Sequence, residues 1–312
     1  MYNVLMFVDS GVDDSFALMY ALLHPDINVV GVVSGYGNIT KEQSVNNTAY
    51  LLKLASREDI PIIAGASGPL SGEIAQYYPE IHGEEGLGPI ILKNNIGKVK
   101  AFDFHKIIEV VQSYSNNLII VGLGRQTDIA LPYIIYGENV FKHVLAFYIM
   151  GGAFLVPGNI TAEAEANFYS DPWAASQVLE KGRNIFLHPL NVTSKAVIPP
   201  KVIDYLSITS RSPFKAVMKP AYDYYLEAYK KNIPGIQAAP LHDVLTISAL
   251  VNRKLVKYIQ RKVTIGQYGK AKGLSMADFR PKPDAVLVEK RDWIGMEVDV
   301  PAFISDFVKV FL

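Results

Sequence analysis

The feature that most constrains this chain is a repeated exchange between two patterns. Short apolar, β-branched runs at Val4–Val8, Ile27–Ser34, Ile62–Ala64, Leu118–Gly122, Ala146–Met150 and Asn184–His188 alternate with helical patterns. Those helical patterns cover Asp14–Leu23, Ser44–Ser56, Phe104–Tyr114, Thr127–Tyr136 and Pro172–Lys181. Continuously apolar strands are buried on both faces, and strands separated by helices run parallel. The expected fold is α/β: an open, mostly parallel central sheet flanked by helices, Rossmann-like. With 312 residues, half of them hydrophobic, the chain can build a large core. It reads as a single domain over 1–312, with a mainly helical cap over about 198–247. Extra strands and a final helix are expected after Arg261. In such a sheet, ligands bind beyond the carboxyl ends of the strands. That rule directs attention to Asp9, "SGYGN" (34–38), "GLGRQTD" (122–128), "MGGAFLVPGN" (150–159) and "HPLNVTSK" (188–195).

Composition removes several classes of function. Lys+Arg and Asp+Glu are both 30, and the densest basic run, "NRKLVKYIQRK" (252–262), reads as a solvated helix or strand edge. Nucleic-acid binding would need a clustered basic face. There is no cysteine, hence no disulfide, thiolate metal site or cysteine nucleophile. No run approaches the roughly 18 apolar residues of a membrane span. The N-terminus carries no basic leader and reads as a first strand, so a cytoplasmic location is expected. The sequons at Asn38, Asn46, Asn159 and Asn191 are then expected to stay unmodified.

"MFVDSGVDDSFAL" (6–18) places Asp9, Asp13 and Asp14 where a buried strand ends and a helix begins. A helix N-terminus favours acids by about 0.3–1 kcal/mol, which accounts for one or two of them. It accounts poorly for Asp9 at the strand end. Like charges held together call for a cation, and all-oxygen donors suit Ca²⁺ or Mg²⁺. The alternating ligands and closing Glu of an EF-hand are missing. Gly11 stands where a haloacid-dehalogenase-like phosphatase needs its second acid.

The stretch resembles the Asp-x-Asp-Pro-Gly-x-Asp-Asp signature of the inosine–uridine-type nucleoside hydrolases. It stands here as Phe7-Val8-Asp9-Ser10-Gly11-Val12-Asp13-Asp14. Further matches follow in family order: Gly37-Asn38, His82-Gly83, Gly122-Leu123-Gly124 with Thr127, Met150-Gly151-Gly152 through Pro157-Gly158-Asn159, Ala164 to Asn167 with Asp171-Pro172, and His242-Asp243. The resemblance implies one Ca²⁺ held by Asp9, Asp14 and Asp243 with the Thr127 carbonyl. It implies Asp9 as the base that takes a proton from the attacking water. Asp13, Asn38, Asn159, Glu165 and Asn167 would hold the ribose. His242 would be the second catalytic residue, near the leaving base and able to protonate it near neutral pH, and His82, Tyr225 and Tyr229 would contact the base. The implied reaction is hydrolysis of the N-glycosidic bond of ribonucleosides. Pyrimidines are favoured, and two alternatives stay open: a purine-preferring enzyme, or an impaired nucleoside- or ribose-binding homologue. The implied partners are further copies of the chain, as a dimer or tetramer.

Each residue also has a plainer reading. His242-Asp243 could be a helix start after Pro240, and Asn159, Glu165 and Asn167 ordinary turn residues. His82 could be an exposed loop histidine. Tyr225 and Tyr229, one helical turn apart, could be core packing or a subunit contact. Phe154 could wall the pocket or fill the core, and Trp173 reads as packing or subunit contact. Four departures from the family pattern stand out. Phe7 replaces an Asp on the same side of the strand as Asp9, so a carboxylate near the metal is expected to be lost. Ser10 replaces Pro, which is expected to loosen the turn. Arg125, in Gly124-Arg125-Gln126, brings a cation towards the metal loop, either replacing a lost interaction or facing solvent. Asn191 replaces the Asp usual before Val-Thr.

Overall fold

The computed structural model describes residues 1–92, 99–281 and 292–312. The first six strands of the sheet all run parallel: β1 (Tyr2–Val8), β2 (Ile27–Ser34), β3 (Ile62–Ala64), β4 (Leu118–Gly122), β5 (Ala146–Met150) and β6 (Ile185–His188). Their spatial order is β3-β2-β1-β4-β5-β6, extended beyond β6 by strand Asp292–Val298 and then by Val256–Arg261. Only that last pairing is antiparallel. The expected strands all form, shifted by at most two residues at their starts.

The alternation of β1 shows why the strands are apolar throughout. Val4, Met6 and Val8 face one layer, with Phe16, Leu245 and Phe307; Leu5 and Phe7 face the other, with Ile120, Ile129 and Val178. Helices therefore cover both faces. The helix Val12–Leu23 (α1) packs against helices His242–Val251 and Val300–Phe311, where Phe16 meets Phe307 and Phe311. Phe7, 2% exposed, fills its place in the second apolar layer. The expected polar gap near the acids is replaced there by ordinary core packing.

Helix boundaries moved for local reasons. The second helix, Lys41–Leu54 (α2), begins three residues before the expected Ser44. Thr40 caps it, with Gln43 reaching back to the Thr40 backbone. The cap region contains helices Pro200–Thr209 and Lys215–Asn232 and a short strand pair, Val197–Ile198 with Ala239–Pro240. After Arg261 come the pair Thr264–Ile265 and Ser275–Met276, strand Asp292–Val298 and the final helix. The part of that expected stretch at 282–291 lies outside the described residues. Among the described residues, no helix is long and apolar enough to cross a membrane.

Candidate active site

Six parallel strands bring their following loops to one edge of the sheet, and the candidate residues gather there. The first loop is set by Ser10, whose φ of 29° lies in the left-handed region. Proline, fixed near −65°, could not adopt it. Ser10 Oγ bonds Thr48 Oγ1 at 2.9 Å, and Asn47 Nδ2 donates to Ser10 O at 3.0 Å. The turn expected to be loose is thus tied to α2. Gly11 then caps α1, with Asp13 and Asp14 in its first turn.

Asp9 is held on several sides. Its Oδ2 accepts from the Asn38 backbone N–H at 2.8 Å and lies 3.3 Å from Arg125 Nη1; its Oδ1 accepts from Asn38 Nδ2 at 3.1 Å. Two loops must leave out side chains to admit it. A Cβ on Gly37 would come within 1.7 Å of Asp9 Oδ2, and one on Gly124 within 2.9 Å of its carboxyl carbon. Asp14 accepts from the Asp9 backbone N–H at 3.1 Å and from Asn38 Nδ2 at 3.0 Å. The carboxylates whose oxygens converge within 4.8 Å are Asp13, Asp14 and Asp243, all buried. This set shares Asp14 and Asp243 with the expected one and adds Asp13; Asp9, the other expected carboxylate, is joined to Asp14 through Asn38 Nδ2.

Such a cluster is unfavourable as it stands. Burial first, then the charge of Asp9, pushes Asp13 up to about 6. Burial and the neighbouring acids push Asp14 and Asp243 well above the usual carboxylate range. Asp13 Oδ1 is buried without a hydrogen-bond partner. Converging all-oxygen donors, mutual repulsion and an orphaned acceptor are what a hard divalent cation would satisfy. Thr127 heads the helix Thr127–Tyr136, its hydroxyl donating to Asp171 Oδ2 at 2.7 Å.

Above the acids lies an open cleft. Asp13 and Asp243 line it with Asn38, Asn159, Glu165 and Asn167 on one side, and His82, Tyr225, Tyr229 and His242 on the other. Glu165 is anchored by backbone: Oε1 accepts from Asn167 N at 2.7 Å, and Oε2 from Gly152 N and Phe168 N at 3.0 and 3.2 Å. Burial raises its pKa. Asn167 Nδ2 donates to Leu123 O at 2.7 Å, and its Oδ1 accepts from Arg125 Nη1 at 2.6 Å. Asn159 is exposed at the rim and accepts from Ala166 N.

The aromatic side has defined proton positions. Thr193 Oγ1 spends its one proton on Pro189 O, so it accepts from His242 Nδ1 at 2.9 Å. His242 Nε2 is then left as an acceptor for the Tyr229 hydroxyl at 3.0 Å, and Tyr229 in turn accepts from Tyr225 at 3.3 Å. His82 Nδ1 accepts from Val12 N–H at 3.1 Å, so its ring proton sits on Nε2. Burial lowers His242 to about 4; burial, with Arg125 and His242 nearby, lowers His82 to about 3. Both rings are neutral at physiological pH. His82 is buried, and its ring lies 5.5 Å from that of Tyr225.

Several cleft residues were not legible in the sequence. Tyr78, Ile81, Leu123 and Met150 line the cleft, and Thr193 orients His242. Tyr78 precedes Pro79 in a loop with no polar pattern to mark it. Arg125 is buried at 6% exposure, facing Asp9 and Asn167 rather than solvent. Asn191 accepts from Phe154 N at 3.0 Å and donates to Phe154 O, a pairing that an ionised Asp could not make. Phe154 is core, and Trp173 meets Tyr268 edge-on at the surface.

Comparison with known proteins bears on the same residues. Residues 4–305 match the family model described as inosine-uridine preferring nucleoside hydrolase. The pyrimidine-specific ribonucleoside hydrolase RihA of Salmonella paratyphi A (strain ATCC 9150 / SARB42) is 32% identical over 298 residues, 94% of each chain. That of Escherichia coli O8 (strain IAI1) is 30% identical, covering 95% of this chain and 97% of its own. Among solved structures, the plant nucleoside hydrolase PpNRh1 superposes with a TM-score of 0.91 at 28% identity, over 99% of this chain and 98% of that one. A purine-preferring ribonucleoside hydrolase from Gardnerella vaginalis gives 0.88 at 25% identity, over 99% and 97%.

Proposed function

We propose that this chain, which belongs to the inosine-uridine preferring nucleoside hydrolase family, is a Ca²⁺-dependent enzyme that splits ribonucleosides into free base and ribose. The observation that carries the reading is the convergence of Asp13, Asp14 and Asp243 beneath a cleft that is polar on one side and aromatic on the other. Asp14 and Asp243, with the Thr127 carbonyl, would hold the ion, and Asp13 lies within reach of it. A bound Ca²⁺ would orient and acidify the attacking water. Asp9, pinned by Asn38, takes the proton from that water. Asn38, Asn159, Glu165 and Asn167, with Asp13, hold the sugar hydroxyls. Their carboxylates stabilise the oxocarbenium-like charge that develops as the bond to the base breaks.

The departing base is met from the aromatic side. Tyr229 donates to His242 at rest; turned towards the base, it donates there instead, supported by the hydroxyl of Tyr225. Because His242 is neutral with its Nε2 unprotonated, it orients Tyr229 rather than supplying a proton directly. The fixed Nε2–H of His82 suits a carbonyl acceptor, as on a pyrimidine ring. The pyrimidine-specific relatives support that preference. Tyr229→Phe is expected to slow uridine hydrolysis by about 10²-fold. It should slow a p-nitrophenyl riboside, whose leaving group needs no proton, by far less. Equal losses on both substrates would remove Tyr229 from leaving-group activation.

The deciding experiment is release of reducing sugar from a panel of purine and pyrimidine nucleosides with Ca²⁺. Uridine and cytidine should turn over fastest, and 2′-deoxynucleosides should fail because they leave buried polar partners unmet. Binding without release for every nucleoside would sink the enzymatic reading.

A further inference from the structure

Arg125 is a cation placed against the acids by a departure from the family pattern, and its surroundings are unusual. It leaves the loop after β4 and is 6% exposed. One nitrogen serves two partners: Nη1 donates to Asn167 Oδ1 at 2.6 Å and lies 3.3 Å from Asp9 Oδ2. Nε and Nη2 are buried with no hydrogen-bond partner. The Tyr78 ring, 5.7 Å from the guanidinium carbon, covers it. Arginine normally meets a carboxylate with two parallel bonds, and this one does not. Asp9, meanwhile, has both oxygens engaged by Asn38 and Arg125.

We propose that Arg125 is a positioning residue that competes with the divalent cation for Asp9, holding that carboxylate out of the ion's coordination and weakening the chain's affinity for the ion. This rests on the metal-dependent reading above. The physical basis is direct. A permanent charge in a water-poor pocket repels a second cation brought beside it, far more strongly than across solvent. It also keeps occupied the oxygens the ion would otherwise draw in. An anionic substrate is a poor alternative explanation for the buried guanidinium, because Asp13, Asp243 and Glu165 line the same cleft and Asp9 lies beside the guanidinium itself.

The test is calorimetric titration of Ca²⁺ into the chelator-treated full chain, with the melting temperature followed in parallel. Arg125→Gln keeps a donor for Asn167 and removes the charge; it is expected to bind Ca²⁺ at least about tenfold more tightly. Arg125→Lys restores a charge and should return affinity to near the native value. A merely structural role would weaken binding in both variants. Asp9→Asn should cost Ca²⁺ affinity in the Arg125→Gln background and little in the native one, a non-additivity that isolates the competition. If Arg125→Gln proves unstable, Arg125→Met, of similar volume, carries the same expectation. Native-like or weaker affinity in the uncharged variants, with Ca²⁺ still bound by the native chain, overturns the competition and leaves the hydrolase reading standing. Absence of Ca²⁺ binding and of any thermal shift in every protein overturns both.

Discussion

Asp9→Asn lowers kcat on the preferred nucleoside by about 10²–10⁴-fold with little change in KM, the usual worth of a positioned general base. The substitution keeps the volume of the side chain and an oxygen for the Asn38 backbone N–H, but cannot take a proton from water. Asp9→Ala loses as much in kcat and something more. It leaves the Arg125 guanidinium buried with no oxygen in place of the carboxylate, where Asn still offers its amide oxygen, and stranding one partner of a buried ion pair typically costs about 3–5 kcal/mol. The alanine variant should therefore melt well below the asparagine variant while being equally inactive. Steady-state kinetics and thermal melting on both proteins separate the chemical role of Asp9 from its structural one. A kcat within a few-fold of native in Asp9→Asn removes it as the base.

Chelation should abolish turnover, and its effect on stability should depend on pH in a defined direction. Asp13 titrates at about 6 in the folded chain against 3.8 for the free group, and Asp14 and Asp243 are raised as well. A carboxylate whose folded pKa is raised stabilises the fold below its unfolded pKa. That contribution is lost as pH rises through the folded value. The cation-free protein thus loses stability between about pH 4 and pH 6 from Asp13, and from its two neighbours as pH rises through their raised values. Bound Ca²⁺ favours the ionised forms and reverses the loss. The rise in melting temperature on adding Ca²⁺ should accordingly be larger at about pH 7.5 than at about pH 5, by roughly 5 °C or more. An equal rise at both pH values would show that the cluster is not where the ion binds.

How far the sequence could be read differs between scaffold and site. The sheet was legible because a strand buried on both faces has no choice but to be apolar, as Val4–Val8 and Ile27–Ser34 show. Helix starts were less so. The Thr40–Gln43 pair that sets the true start of α2 is a recognisable capping box, and it lies just ahead of the expected boundary. For the site, the resemblance named residues that do come together. Asp13, Asn38, Asn159, Glu165, Asn167, His82, Tyr225, Tyr229, His242 and Asp243 all line one cleft. What spacing could not tell was which acids converge. That depends on the left-handed turn at Ser10 and on a guanidinium from a loop far along the chain. The same holds for Phe7: strand alternation gives its face, but whether that face is polar or apolar is decided by the helices packed on it.

The two sides of the cleft have different origins. Asp9, Asp13 and Asp14 follow the central strand β1, and Asp243 opens the helix His242–Val251. Tyr225 and Tyr229 come from a single helix, Lys215–Asn232, which belongs to the cap. On the proposed function, part of the wall that meets the base therefore sits on a piece of the molecule separate from Asp9, Asp13 and Asp14. Substitutions on that helix that spare Tyr229 would alter which base is accepted while those acids stay in place. The same separation makes that helix the natural segment to graft or randomise when a hydrolase of this fold is to be retargeted.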